Sequence, residues 1–200
     1  MAETSPQFEL ALAAIDAANA ADPHRVPVDG QEAPKELVYA EQMTRWLGAL
    51  APDASEALRL AVRAQHIRRW EIPRDRYPMD RVGYLKWRTD LKHLHARIAG
   101  DILKEAGYEA ATIARVQALI KKERLKQDAE TQALEDVACL VFIENYFADF
   151  AKEHDADKVV SILRKTWLKM SPQGRDAALK IAMPAEARAL VERALAQPAS

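Results

Sequence analysis

The chain has 200 residues, with 29 Lys and Arg against 30 Asp and Glu and a net charge of -1. That length allows one domain with a substantial core, and the near-neutral balance argues against a generally nucleic-acid-binding surface while leaving local patches open. Cys139 is the single cysteine, which excludes an internal disulfide and a cysteine-based zinc site; inside the apolar run "VACLVF" it reads as a small core residue.

Only six glycines, abundant Ala and Leu, and apolar spacings of three and four predict an all-α fold. A single compact multi-helix domain over residues 1–200 is expected, with a frayed tail from about 196. "SPQFELALAAIDAANAADP" starts at a Ser-Pro signal and ends before Pro23, giving a first helix. "HRVPVDGQEAP" reads as a loop. A second helix is expected from about Lys35 to Leu50, and "PDAS" caps a third that ends near Trp70. "EIPRDRYPMDRVG" reads as an extended loop. Further helices are expected at about Tyr84–Ala106, Ala110–Lys126 and Thr131–Glu153, then at 155–170 and 172–197. No apolar run reaches the roughly 18 residues of a membrane span, so no membrane partner is expected. With Glu3 and Glu9 near its start the chain does not read as carrying a signal peptide, so a cytoplasmic location is expected.

Stepping by three or four along each helix shows four ionisable groups in line with apolar stripes. Leu58 and Val62 lead to His66, and Leu91 leads to His95. Asp136 leads to Leu140 and Ile143, and Glu36 leads to Ala40, Met43 and Leu47. His93 falls with Lys86, Asp90 and Arg97 on the wet side. Buried carboxylates and imidazoles are costly unless paired or metal-bound, so the four are read as one shared polar site rather than separate caps and core hydrogen bonds. Two imidazoles with two carboxylates suit a divalent metal: zinc, iron or manganese. Glu123, in line with Val116 and Ile120, is a further candidate, whereas Lys121 and Lys122 read as a solvated helix end.

The segment from Arg68 to Arg88 interleaves arginines with Trp70, Tyr77, Tyr84 and Trp87. Arginine forks grip phosphate and aromatic rings stack on bases, so this segment reads as a pocket wall, with Arg69, Arg74 and Arg88 as the leading substrate-binding residues.

The strings "ELVYAEQMTRWL", "AQHIRRWEIPR", "GYLKWR", "HARIAGDIL" and "LEDVACLVF" resemble the family named domain of unknown function 4202, over about residues 7–184. A more distant resemblance is to the HD-domain superfamily of metal-dependent phosphohydrolases, which would imply an HD-like helical fold. In that comparison His66 in "RAQHI" matches the histidine of the His-Asp pair, Asp136 the final aspartate, and His95 an intervening histidine. Glu36 stands where the superfamily has its first histidine, and Ile67 stands where it has the paired aspartate. The resemblance implies Glu36, His66, His95 and Asp136 as metal ligands, Asp136 holding the metal, Glu36 holding it or acting as base, and water attacking a phosphoester. The expected function is therefore a metal-dependent phosphohydrolase acting on a small phosphorylated molecule or nucleotide. Loss of the paired aspartate favours the alternative, a non-catalytic module that binds a nucleotide or RNA end without metal.

Overall fold

The structure is a computed structural model that describes residues 5–196; residues 197–200, most of the expected frayed tail, lie outside the described residues. Helix α1 (Pro6–Ala20) begins where the Ser5 hydroxyl accepts the Phe8 amide, with proline at the first helical position. The next segment corrects the expected loop. Strands β1 (Arg25–Val28) and β2 (Gln31–Pro34) pair antiparallel, with Val28 opposite Gln31. Asp29 and Gly30 both take positive φ, 48° and 80°, the conformation a two-residue hairpin turn requires and Asp-Gly supplies.

Helix α2 (Lys35–Leu50) starts after Pro34, whose side chain gives no cap. The cap comes instead from Asp22, 1 % exposed, whose Oδ2 accepts the Glu36 amide at 3.0 Å and whose Oδ1 accepts the His24 amide at 2.9 Å. One buried carboxylate thus ties the end of α1, the hairpin and the first turn of α2 together.

Helix α3 (Glu56–Arg63), capped by Ser55, is shorter than expected. After Ala64 the amides of Gln65, Ile67 and Arg69 bond three residues back, and Arg68 enters the left-handed region at φ 52°. His66 therefore sits in a tight turn beyond the helix, although its inward phase survives. Two short 3-10 turns (Arg69–Glu71 and Arg74–Arg76) lead to α4 (Arg81–Glu105), capped by Asp80.

Helix α5 (Ala110–Lys121) packs back along α4, with Gln117 Nε2 donating to the Ala96 carbonyl at 3.0 Å. The turn that follows places Lys122, Arg124 and Lys126 at positive φ. Helix α6 (Ala129–Asn145) stops at Tyr146, so the expected long helix to Glu153 is two, with α7 at Phe147–Lys152. Helix α8 (Ala156–Lys169) follows. The expected final helix is also two, α9 (Pro172–Leu179) and α10 (Ala185–Ala196), separated by a segment containing Pro184, which cannot donate a helical hydrogen bond. The main core joins α1 to α6 through residues such as Met43, Leu58, Val62, Leu119 and Leu134. A second apolar cluster joins α6 to α9 and includes Cys139, and a third joins α7, α8 and α10. No helix among the described residues is long and apolar enough to cross a membrane.

Candidate functional site

Three of the four inward groups meet. His66 Nδ1 lies 3.4 Å from Glu36 Oε2, the His66 and His95 rings are 5.9 Å apart between centroids, and Tyr39 stacks on His66 at 4.0 Å. Arg69 Nη1 donates to His66 Nε2 at 2.9 Å, and its guanidinium lies 4.9 Å from the Trp87 ring centre. His95 Nδ1 lies 2.7 Å from the Ile67 carbonyl, which can only accept, so Nδ1 carries the hydrogen.

Burial decides the charge states here. Burial, with the nearby charge of His66, pulls the His95 imidazole down to about 3. Burial and the charges of Arg69, Lys122, Arg88 and Lys35 hold His66 well below its ordinary range. Burial pushes the Glu36 carboxyl up, with Arg69 opposing that shift. Both imidazoles are therefore neutral, within a polar network around one arginine.

Asp136 is not part of it. Its side chain is 2 % exposed, but Oδ1 accepts from the Ser171 amide at 2.8 Å and from Gln132 Nε2 at 3.0 Å, while Oδ2 accepts from the Ser171 hydroxyl at 2.5 Å. Ser171 in turn caps α9 through the Gly174 amide. A side chain at residue 174 would place its Cβ 2.7 Å from the Asp136 carboxyl carbon. Asp136 is thus the joint between α6 and α9.

The proposed metal donors do not fit a metal ion. Both His66 nitrogens face protein groups, both Asp136 oxygens accept hydrogen bonds, and Ile67, 0 % exposed, lies in the core where the resemblance asks for a carboxylate. Among the described residues no three His, Cys, Asp or Glu side chains are placed to hold a metal.

The arginines divide in the same way. Arg74 donates to the carbonyls of Tyr77, Pro78 and Asp80, at 3.0, 2.7 and 3.3 Å, so it holds the loop in shape. Trp87 Nε1 donates to the Ile72 carbonyl and Tyr77 to Asp90, which anchors that loop on α4. Arg69 belongs to the Glu36–His66 network. Arg88 is half-buried, makes no hydrogen bond or ion pair among the described residues, and rests 5.8 Å from the Tyr84 ring centre. His93 is exposed as expected; Glu123 is exposed and pairs with Lys121.

Next to Arg88 lies a feature the sequence reading missed. Lys122, expected at a solvated helix end, is largely withdrawn from solvent and paired with Glu135, their side chains 9 % and 8 % exposed. Lys169 approaches the same carboxylate at 3.9 Å from the end of α8. Burial alone would raise the Glu135 carboxyl, but Lys122, Lys169 and Arg88 more than offset this and hold it below its ordinary range. Lys92, one helical turn beyond Arg88, is half-buried and makes neither hydrogen bond nor ion pair among the described residues. Burial and the like charges of Lys122, Arg88 and Lys169, against Glu135, hold its ammonium below the ordinary lysine range. Four cationic side chains from three segments, α4, the turn after α5 and the end of α8, thus gather about one carboxylate. The signal was present in the spacing: stepping back from Leu103 through Ala99 and Ala96, the buried stripe of α4 reaches Lys92 and Arg88.

Fold and site together define an all-α domain with a small, positively charged site beside a neutral histidine network. The family described as Domain of unknown function (DUF4202) matches residues 9–191, and the chain belongs to that family. No curated protein and no solved structure matches the chain.

Proposed function

We propose that this protein binds the phosphate group of a small phosphorylated molecule, nucleotides included, at Arg88, Lys92, Lys122 and Lys169, without a metal ion. One observation carries the reading: half-buried cations outnumber the single carboxylate, Glu135, that lies among them. Gathering like charges away from water is unfavourable, and an anion that enters relieves both the desolvation and the repulsion. Phosphate suits such a site because its oxygens accept several charge-assisted hydrogen bonds at once. Strained left-handed backbone at Lys122 presents one of these cations, and strain of this kind concentrates at functional positions. The metal-dependent phosphohydrolase expected from the HD-like resemblance would need free donors at His66 and Asp136, and their partners leave none.

Calorimetric titration of the full chain with pyrophosphate and then with nucleoside diphosphates, in low salt with a chelator present, tests the reading. Binding is expected despite the chelator, and Arg88→Gln or Lys169→Gln should each weaken it by about 1.5–3 kcal/mol, tenfold or more. Neither change should move the melting temperature much, because Arg88 makes no hydrogen bond or ion pair among the described residues and the Lys169 side chain is 43 % exposed. Absence of binding, or binding indifferent to both substitutions, would sink the proposal.

A further inference from the structure

We propose that Lys92 is a nucleophilic amine that condenses with the carbonyl group of a phosphorylated aldehyde or ketone held in this site. The inference rests on the phosphate reading and narrows its ligand class. Its basis is placement. Gln117 of α5 packs on Ala96 and Gly100 of α4, so one turn further along this antiparallel pair the end of α5 and Lys122 come level with Lys92. Arg88 stands one turn before Lys92 on the same helix face, and Lys122 and Lys169 converge on Glu135. Every other group whose charge bears most strongly on Lys92 belongs to this set, and only Glu135 is negative. Glu135, the one carboxylate whose charge bears strongly on Lys92, is already paired with Lys122, and Lys92 makes no ion pair among the described residues.

An amine among cations in a partly desolvated site gives up its proton more readily, and the neutral form is the nucleophile. The step is balanced without an oxidant or reductant. The Lys92 ammonium first releases one proton to solvent. The neutral nitrogen then adds to the carbonyl carbon, a proton moves from nitrogen to the carbonyl oxygen, and water leaves as the carbon–nitrogen double bond forms. Arg88, Lys122 and Lys169 would bind the phosphate and so hold the carbonyl at Lys92, turning an encounter between two molecules into a reaction within one complex.

Pyridoxal 5′-phosphate, a phosphorylated aldehyde, serves as the probe, with phosphate-free pyridoxal as its control. After incubation with the full chain and borohydride reduction, peptide mass spectrometry should find Lys92 modified ahead of the exposed Lys86 and Lys152. The modification should be faster with the phosphorylated reagent and suppressed by pyrophosphate. Lys92→Arg, which keeps the charge, should abolish the imine absorbance. Label spread evenly over exposed lysines, or equal labelling of Lys92 by both reagents, overturns the assignment. If pyrophosphate binding continues to depend on Arg88 in that case, the phosphate reading survives without the covalent step.

Discussion

Two neighbouring regions deal with buried charge in opposite ways. Around Glu36, His66 and His95 both His66 nitrogens and His95 Nδ1 face protein partners, and burial keeps both imidazoles neutral. Around Glu135 the described residues supply more positive charge than they neutralise, and among them Arg88 and Lys92 make no hydrogen bond or ion pair. Sequence alone does not tell a satisfied buried group from an unsatisfied one. Satisfaction separates the two regions: a satisfied network orients and stiffens, whereas an unsatisfied one is a place for something else to bind.

The contrast can be broken most forcefully at its one strong internal pair. Lys122→Met would leave the Glu135 carboxylate buried, with Lys169 at 3.9 Å as the remaining ion-pair partner. A loss of about 3–5 kcal/mol is expected in urea unfolding, with much of it restored by adding Glu135→Leu. A small loss from the single change would mean that the pair is wetter than its burial indicates.

Asp136 sharpens the comparison from the structural side. Asp136→Ala removes the acceptor for Ser171 and Gln132 and should cost about 2–3 kcal/mol. It should leave pyrophosphate affinity unchanged. Loss of affinity at unchanged stability would return Asp136 to the site.

The histidine network predicts an acid response. Because the His95 imidazole is held near 3 when folded and titrates near 6.5 when unfolded, the unfolded state binds its proton first as the pH falls. Stability from this residue is complete above pH 6.5 and declines between 6.5 and 3, by about 2 kcal/mol at pH 5. His66 is depressed as well and should steepen the decline. Stability curves at pH 7 and pH 5 check this, and His95→Gln should flatten the difference. An unchanged curve would show that His95 is solvated.

Helical phase made much of this legible. It put Glu36, His95 and Asp136 inside and His93 outside, and the structure agrees on all four. Phase gives direction but not destination, so it could not separate Asp136, turned to α9, from the three groups that meet. The same limit applied to the arginines, because nothing in "IPRDRYP" tells which guanidinium will be consumed by carbonyls of its own loop. Lys122 was misread because the turn after α5 relies on a left-handed backbone at a lysine, where sequence rules expect Gly or Asn. The hairpin was missed because its strands are four residues each and mostly exposed, leaving Asp-Gly as the only cue.

The contact at Gly83 sets the origin of a measuring rod. A Cβ there would sit 2.1 Å from the Pro78 carbonyl oxygen, so the loop and the first turn of α4 can touch only because that atom is missing. Beyond this point α4 runs unbroken to Glu105, and Lys92 lies about 14 Å along its axis. A stiff helix carries a displacement at one end to every side chain it bears. Whatever side chain replaced the hydrogen of Gly83 would therefore shift Arg88, Lys92 and His95 together. The reach of the site toward α5 and α6 is gauged from an atom that touches none of its residues.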